Sequence, residues 1–191
     1  MKLVCKIGLN DFKIKDSREL GISDNDYYLI RSHWYHMLDR INDNILLSDD
    51  WVHFSDFVFW AIDKQYKNTH LDKDILYPNN KIYSPETSCF IDQSLNKLFQ
   101  KQNKIRKYNF PQGVRLNYSK YEARCNNGSG CLIKIGRYNS IKEAYYNYVK
   151  YKISIAVKHA KIIYKDDKSD KRVISGLRRH VIKLIKSKLY I

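Results

Sequence analysis

The 191-residue sequence predicts an α+β fold, on three observations. Two segments of the first half repeat apolar residues at helical spacing: Ile30, Trp34, Met37, Leu38 and Ile41, then Trp51, Phe54, Phe57, Val58 and Ala61. Three runs between residues 113 and 138 alternate instead at strand period, with turn residues between them. Helical patterns then fill the rest of the chain. A hydrophobic content of 43% is enough to build cores, and only 7 Gly and 3 Pro argue against long flexible linkers.

Residues 1–27 mix short apolar pieces with Asp, Ser and Gly and read as an irregular arm. The first helix is expected over 29–41 and the second over 51–64, where Asp49 and Asp50 suit the positive end of the helix dipole. The aromatic residues of both read as core. Residues 69–99 read as strand, loop, strand, helix. The stretch 70–76 is extended, and 77–81 turns because Pro78 and the paired Asn79 and Asn80 favour loops. Ile82 and Tyr83 return, Ser84 and Pro85 open the next element, and 92–99 is a helix with Leu95, Leu98 and Phe99 inward.

Residues 100–110, rich in Lys, Gln and Asn, form the expected linker between a first domain (1–99) and a second (111–161). The second domain has strands at 113–117, 120–126 and 131–138, the last two joined by the turn NNGSG. Ser140 caps a helix running to about residue 161, with Glu143 in capping-box register. Ala144, Tyr148, Tyr151 and Ile155 share its inner face. A charged break at 164–172 leads to a last basic helix within 162–191. There Val173, Leu177, Val181, Leu184 and Ile185 oppose Arg172, Arg178, Arg179, His180, Lys183, Lys186 and Lys188.

Charge is segregated along the chain. Residues 1–96 carry 11 Lys and Arg against 15 Asp and Glu, whereas 97–191 carry 24 against 5. So basic a segment gains most from a polyanion, and nucleic acid is the simplest partner, because each phosphate contact releases condensed counterions. A basic tail following an ordinary domain is the plainer account of the same numbers. No apolar run reaches the ~20 residues of a membrane span, and the N-terminus has no signal-peptide core, so no membrane association is expected. Cys5, Cys89, Cys125 and Cys131 include no CxxC pair, which indicates neither a zinc ribbon nor a disulfide framework. The expected setting is the cytoplasm, with free thiols and no implied protein partner.

The segment HLDKDILYPNNKIYSPETSCFI places His70, Asp72 and Asp74 on one short strand, with Asn96 on the helix after it. Phosphodiester hydrolysis needs an activated water and a cation to offset charge developing on the phosphate. Hard cations such as Mg²⁺ or Mn²⁺ take oxygen ligands, which Asp72, Asp74 and Asn96 offer, and His70 is the candidate general base. By spacing alone, Asp72, Lys73 and Asp74 also fit a solvated strand edge.

Leu71-Asp72-Lys73-Asp74-Ile75, Asn80-Lys81, Tyr83-Ser84-Pro85-Glu86, Cys89, Phe90-Ile91 and Asn96 together resemble the HNH (ββα-metal) nuclease module of phage-encoded homing-endonuclease-like proteins. Gly8-Leu9-Asn10-Asp11, Trp34, Met37-Leu38, Arg40, Trp51, Phe54, Phe57 and Trp60 extend the resemblance over most of residues 7–99. It implies a metal-dependent endonuclease, with Thr69 at the usual ligand position before His70 unless Asp72 or Asp74 supplies the carboxylate in another register. Residues 113–152 similarly resemble the Apetala-two/ethylene-response-factor DNA-binding domain. That likeness rests on Gly113-Val114-Arg115, Lys120-Tyr121-Glu122-Ala123-Arg124, Ile135-Gly136-Arg137-Tyr138, Glu143-Ala144 and Tyr148; the tryptophans that usually accompany its arginines are missing here.

Strand alternation agrees with that module. It sends Val114, Leu116, Tyr121, Ala123, Cys125 and Ile135 to one side, and Arg115, Asn117, Lys120, Glu122, Arg124 and Lys134 to the other. A ribbon of that width fits the major groove of double-stranded DNA. The expected DNA-contacting residues are Arg115, Asn117, Lys120, Arg124, Lys134 and Arg137, with Arg178 and Arg179 of the last helix on phosphates. The expected function is an HNH-type DNA endonuclease. The alternative is a non-catalytic, sequence-specific DNA-binding protein with a degenerate HNH module.

Overall fold

The computed structural model describes residues 2–99, 110–127, 129 and 131–187, so the expected linker lies almost wholly outside the described residues, as does Lys188. The fold is α+β and divides into two compact units, residues 1–92 with 168–170 and residues 93–167 with 171–191.

In the first unit, residues 2–27 hold regular elements rather than an irregular arm. β1 (Lys2–Val4) and β2 (Gly8–Asn10) form an antiparallel hairpin, and α1 (Ile14–Glu19) follows. Three-residue strands and a six-residue helix are too short to show a period, which is why the pattern hides them. α2 (Asp24–Leu38) begins five residues before the expected start at residue 29, where the Ser23 hydroxyl accepts the Asp26 amide at 3.1 Å. A 3₁₀ turn (Asp49–Trp51) leads to α3 (Phe54–Ala61).

Trp34, Trp51, Phe54, Phe57, Val58 and Ala61 are completely or almost completely buried, as the helical spacing predicts. The Trp34 indole N–H donates to the Trp51 carbonyl at 2.9 Å, so two large aromatics pack without stranding that donor. A Cβ on Gly8 would come within 2.5 Å of Leu38 and 2.7 Å of Trp34, so glycine here lets β2 lie directly on α2. Asp11 caps α3 from outside: its carboxylate accepts the Ser55 amide (2.9 Å), the Ser55 hydroxyl (2.7 Å) and His53 Nδ1 (3.0 Å).

β3 (Leu46–Leu47) pairs in parallel with β5 (Ile82–Tyr83), while β4 (Thr69–Asp72) pairs antiparallel with β6 (Cys89–Asp92). The returning strand is therefore Cys89–Asp92, and Ile82–Tyr83 joins a different strand. The fully buried run Cys89–Ile91 has no polar alternation, so it gives no strand period to read. β6 leads directly into α4 (Gln93–Phe99), which groups with the second unit.

The second unit is a meander of β7 (Val114–Asn117), β8 (Lys120–Asn126) and β9 (Leu132–Tyr138), covered by α5 (Ile141–Lys165), on which α6 (Arg172–Ser187) packs. Val114, Ala123 and Cys125 face Ala144, Tyr145, Tyr148 and Val149. Leu116, expected beside them, is 45% exposed. It pairs with Tyr121 toward the turn of the hairpin, away from the buried Val114–Ala123 pair. Gly113 has φ +84°, and the Tyr148 ring fills the space a Cβ would need, so the Gly-Val-Arg start of the sheet is set by one packing contact. No helix among the described residues is long and apolar enough to cross a membrane.

Candidate nucleic-acid interface

The sheet face away from α5 carries the charge. Glu122, the single acidic residue between 110 and 138, stands at its centre and is only 2% exposed. Arg115 meets its Oε1 through Nε and Nη2, both at 2.9 Å, and Asn117 Nδ2 donates to Oε2 at 2.8 Å. Arg124 Nε lies 3.3 Å from Oε1 without the alignment of a hydrogen bond. Arg137 Nε and Lys134 Nζ stand 3.6 and 3.9 Å from Oε2. Burial opposes ionisation of Glu122, but the bonds from Asn117 and Arg115 and the charges of Arg115 and Arg124 outweigh it, holding the carboxyl below the usual range.

Strict alternation cannot put Lys134 and Arg137 on one face, since they are three residues apart. The register of β8 against β9 shifts: Ala123 pairs with Gly136, but Arg124 pairs with Lys134, leaving Ile135 as an extra residue. This bulge brings both cations to Glu122 while Ile135 packs against the core. Lys120 shares the face by its position two residues before Glu122 on β8. Five of the expected DNA contacts (Arg115, Asn117, Arg124, Lys134 and Arg137) thus gather around one carboxylate. Sequence reasoning placed Glu122 on this face without giving it a role. Its signal was a lone acid at i between cations at i−2 and i+2 along β8, Lys120 and Arg124.

Arg178 and Arg179 are exposed on α6, whose Val173 and Leu177 are buried. Because α6 packs on α5, it lies on the helix side of the sheet, and these two arginines do not share the Glu122 face.

In the first unit, the residues expected to do chemistry close a loop. Asp72 Oδ1 accepts the amides of Asp74 (2.9 Å) and Ile75 (2.6 Å). Burial is the largest influence on its carboxyl and raises its pKa, against the lowering effect of those amides. Lys73, which a solvated strand edge would leave exposed, is instead buried; its ammonium donates to Asp74 Oδ2 at 3.0 Å and to the Asn80 carbonyl at 2.6 Å. The Asn80 amide returns bonds to the carbonyls of Lys73 (2.9 Å) and Ile82 (2.6 Å). Ser84 then closes a turn through the Thr87 amide.

His70 is half-buried on β4, where it shares with Asp72 the side opposite buried Leu71. Nearby, burial lowers the pKa of His33 against its contact with the Tyr66 carbonyl (3.2 Å), and charge on His70 adds to the lowering.

Of the expected ligands Asp72, Asp74 and Asn96, the first two are engaged within the loop: Asp72 Oδ1 accepts two amides, and the Lys73 ammonium lies against Asp74 Oδ2. Asn96 lies on α4. Among the described residues, no three His, Cys, Asp or Glu side chains stand together as metal ligands. No family model, curated protein or solved structure matches this chain.

Proposed function

We propose that this chain binds double-stranded DNA on the open face of the β7–β8–β9 sheet. The observation that carries the reading is the gathering of Arg115, Arg124, Lys134 and Arg137 on one face of a three-stranded ribbon, with the opposite face sealed by α5. Such a ribbon has the width of the B-DNA major groove, where guanidinium groups read guanine and Asn reads adenine. The major groove of A-form RNA is too deep and narrow for it, which favours DNA.

The test is binding of the full chain to a short duplex across a salt series. The logarithm of affinity should fall linearly with that of salt, with a slope of about −0.9 per phosphate contact. Replacing Arg124 and Arg137 together with Ala should weaken binding and make that slope shallower. A flat salt response, or unchanged binding by the folded double variant, removes the reading.

A second reading adds cleavage, making the chain an HNH-type homing endonuclease. It is supported by the likeness of residues 71–96 to that module, by the order β4, β6, α4, and by the place of His70 and Asp72 on one side of β4. In that reading His70 is the general base, and Mg²⁺ or Mn²⁺ is the cofactor to supply. Supercoiled plasmid with each metal, beside His70→Ala, tests it. Nicking by wild type that is slowed in the variant and partly restored at higher pH supports cleavage, whereas no nicking under either metal leaves the DNA-binding reading alone.

A further inference from the structure

A buried carboxylate is a poor choice for a surface whose task is to attract phosphates. Glu122 cancels one of the positive charges that a duplex would meet, and ordering long side chains around it costs conformational entropy. Its geometry shows what it supplies in return. Arg115 gives two of its nitrogens to Oε1 and is tied down. Arg124 and Arg137 face the carboxylate through Nε, which leaves both terminal nitrogens of each guanidinium for a ligand. That end of the group forms the paired hydrogen bonds to O6 and N7 of guanine. Ion pairing to Glu122 narrows the range over which each guanidinium moves, even without an aligned hydrogen bond, so it loses less freedom on making that pair than an untethered one that meets phosphates on any sequence.

The β9 bulge fits the same scheme. Without it, Lys134 and Arg137 would lie on opposite faces and Glu122 would hold fewer cations. Asn117, at the turn end of β7, fixes the second carboxylate oxygen and keeps Glu122 from rotating toward any one arginine. The array is therefore braced from three strands.

Resting on the duplex-DNA reading above, we propose that Glu122 is a positioning residue for sequence selectivity: it gives up part of the overall attraction to DNA in exchange for a fixed array of guanidinium groups. Glu122 itself makes no contact with DNA in this scheme and acts through Arg124 and Arg137.

The experiment uses the full-length chain and a pool of random 20-base-pair duplexes. Rounds of selection with wild type yield a preferred sequence, and affinities for that sequence and for the unselected pool are then measured over a salt series. Glu122→Gln should bind the pool at least as tightly as wild type, with a steeper salt slope, because freed arginines reach phosphates. Its preference for the selected sequence over the pool should fall tenfold or more. Glu122→Asp keeps the charge but withdraws the carboxylate by one methylene, so it should lose preference at unchanged pool affinity.

Glu122→Asp that keeps the wild-type preference overturns the proposal, and so does an equal loss of both affinities in a Glu122→Gln protein with an intact melting transition, which marks a merely structural role. If Glu122→Gln does not fold, Glu122→Asp alone decides. Wild type that binds no duplex overturns the DNA reading and the proposal together. Wild type that binds and selects, with variants that select equally well, overturns only the proposal.

Discussion

Removing the Asp11 carboxylate should destabilise the first unit by about 2 kcal/mol, although Asp11 lies outside the helix it supports. Replacing it with Ala strips the Ser55 amide of the acceptor that stands in for a helix cap, since His53 at the N-cap position makes no side-chain cap bond. Loss of a cap costs about 0.5–2 kcal/mol. The bonds from the Ser55 hydroxyl and His53 add roughly 1 kcal/mol more, part of it returned by water because the side chain is partly exposed. All three tryptophans, Trp34, Trp51 and Trp60, lie in the first unit, so their emission follows that unit alone through urea unfolding. With a urea dependence of about 2 kcal/mol per molar, the midpoint should drop by about 1 M at pH 7.

The pH dependence has a definite sign. Burial opposes ionisation of Asp11, but the bonds from Ser55 and His53 outweigh it and lower the carboxyl pKa. The advantage of wild type over Asp11→Asn is therefore complete above the unfolded value near ~3.9, and it is lost as pH falls through the lower folded value. A midpoint shift under about 0.3 M for Asp11→Ala at pH 7, or a wild-type advantage over Asp11→Asn that persists undiminished well below the folded value, would refute this account of α3.

Three further outcomes follow from the described contacts. Lys73→Met should destabilise the first unit by about 1–3 kcal/mol, read by the same tryptophan transition, because the Asn80 carbonyl and Asp74 both lose a charged donor. Gly113→Ala should lower the melting temperature of the second unit, followed by tyrosine absorbance or hydrogen exchange in β7–β9, since it adds both a left-handed strain of about 1–3 kcal/mol and a clash with Tyr148. Asp72→Ala should cost about 1–2 kcal/mol by stranding the amides of Asp74 and Ile75, whereas Asp72→Asn keeps an acceptor and should cost little in the same urea assay.

Much of the fold was legible because long elements announce their period. The stripe Ile30, Trp34, Met37, Leu38 and the alternation of Lys120–Asn126 each span enough residues for burial to leave a pattern. Short elements leave none, so the β1–β2 hairpin and α1 were missed, and the buried Cys89–Ile91 run was not read as a strand. In the loop 72–88 the motif residues were recognised, but not their hydrogen bonds. Polar residues that look like surface chemistry in sequence, Asp72, Lys73, Asn80 and Ser84, are spent largely on closing the chain. Any loss of activity in an Ala variant there therefore has to be separated from loss of the loop, which is why the Asn variant of Asp72 is the informative one.

The basic face shows the converse limit. Charge composition located it, and alternation gave most of its members, yet no periodic rule places Lys134 and Arg137 together. That requires one extra residue in β9, and the extra residue is tolerated because Ile135 has a core to enter while the displaced Lys134 finds a carboxylate to face. The bulge thus adds to an acid that β7 already holds through Arg115 and Asn117. Without the buried acid, the cations of this face would repel one another; without the bulge, Lys134 and Arg137 could not both face it. A single Glu amid basic residues on a strand is then less an interruption of a basic surface than the element that allows it to be dense.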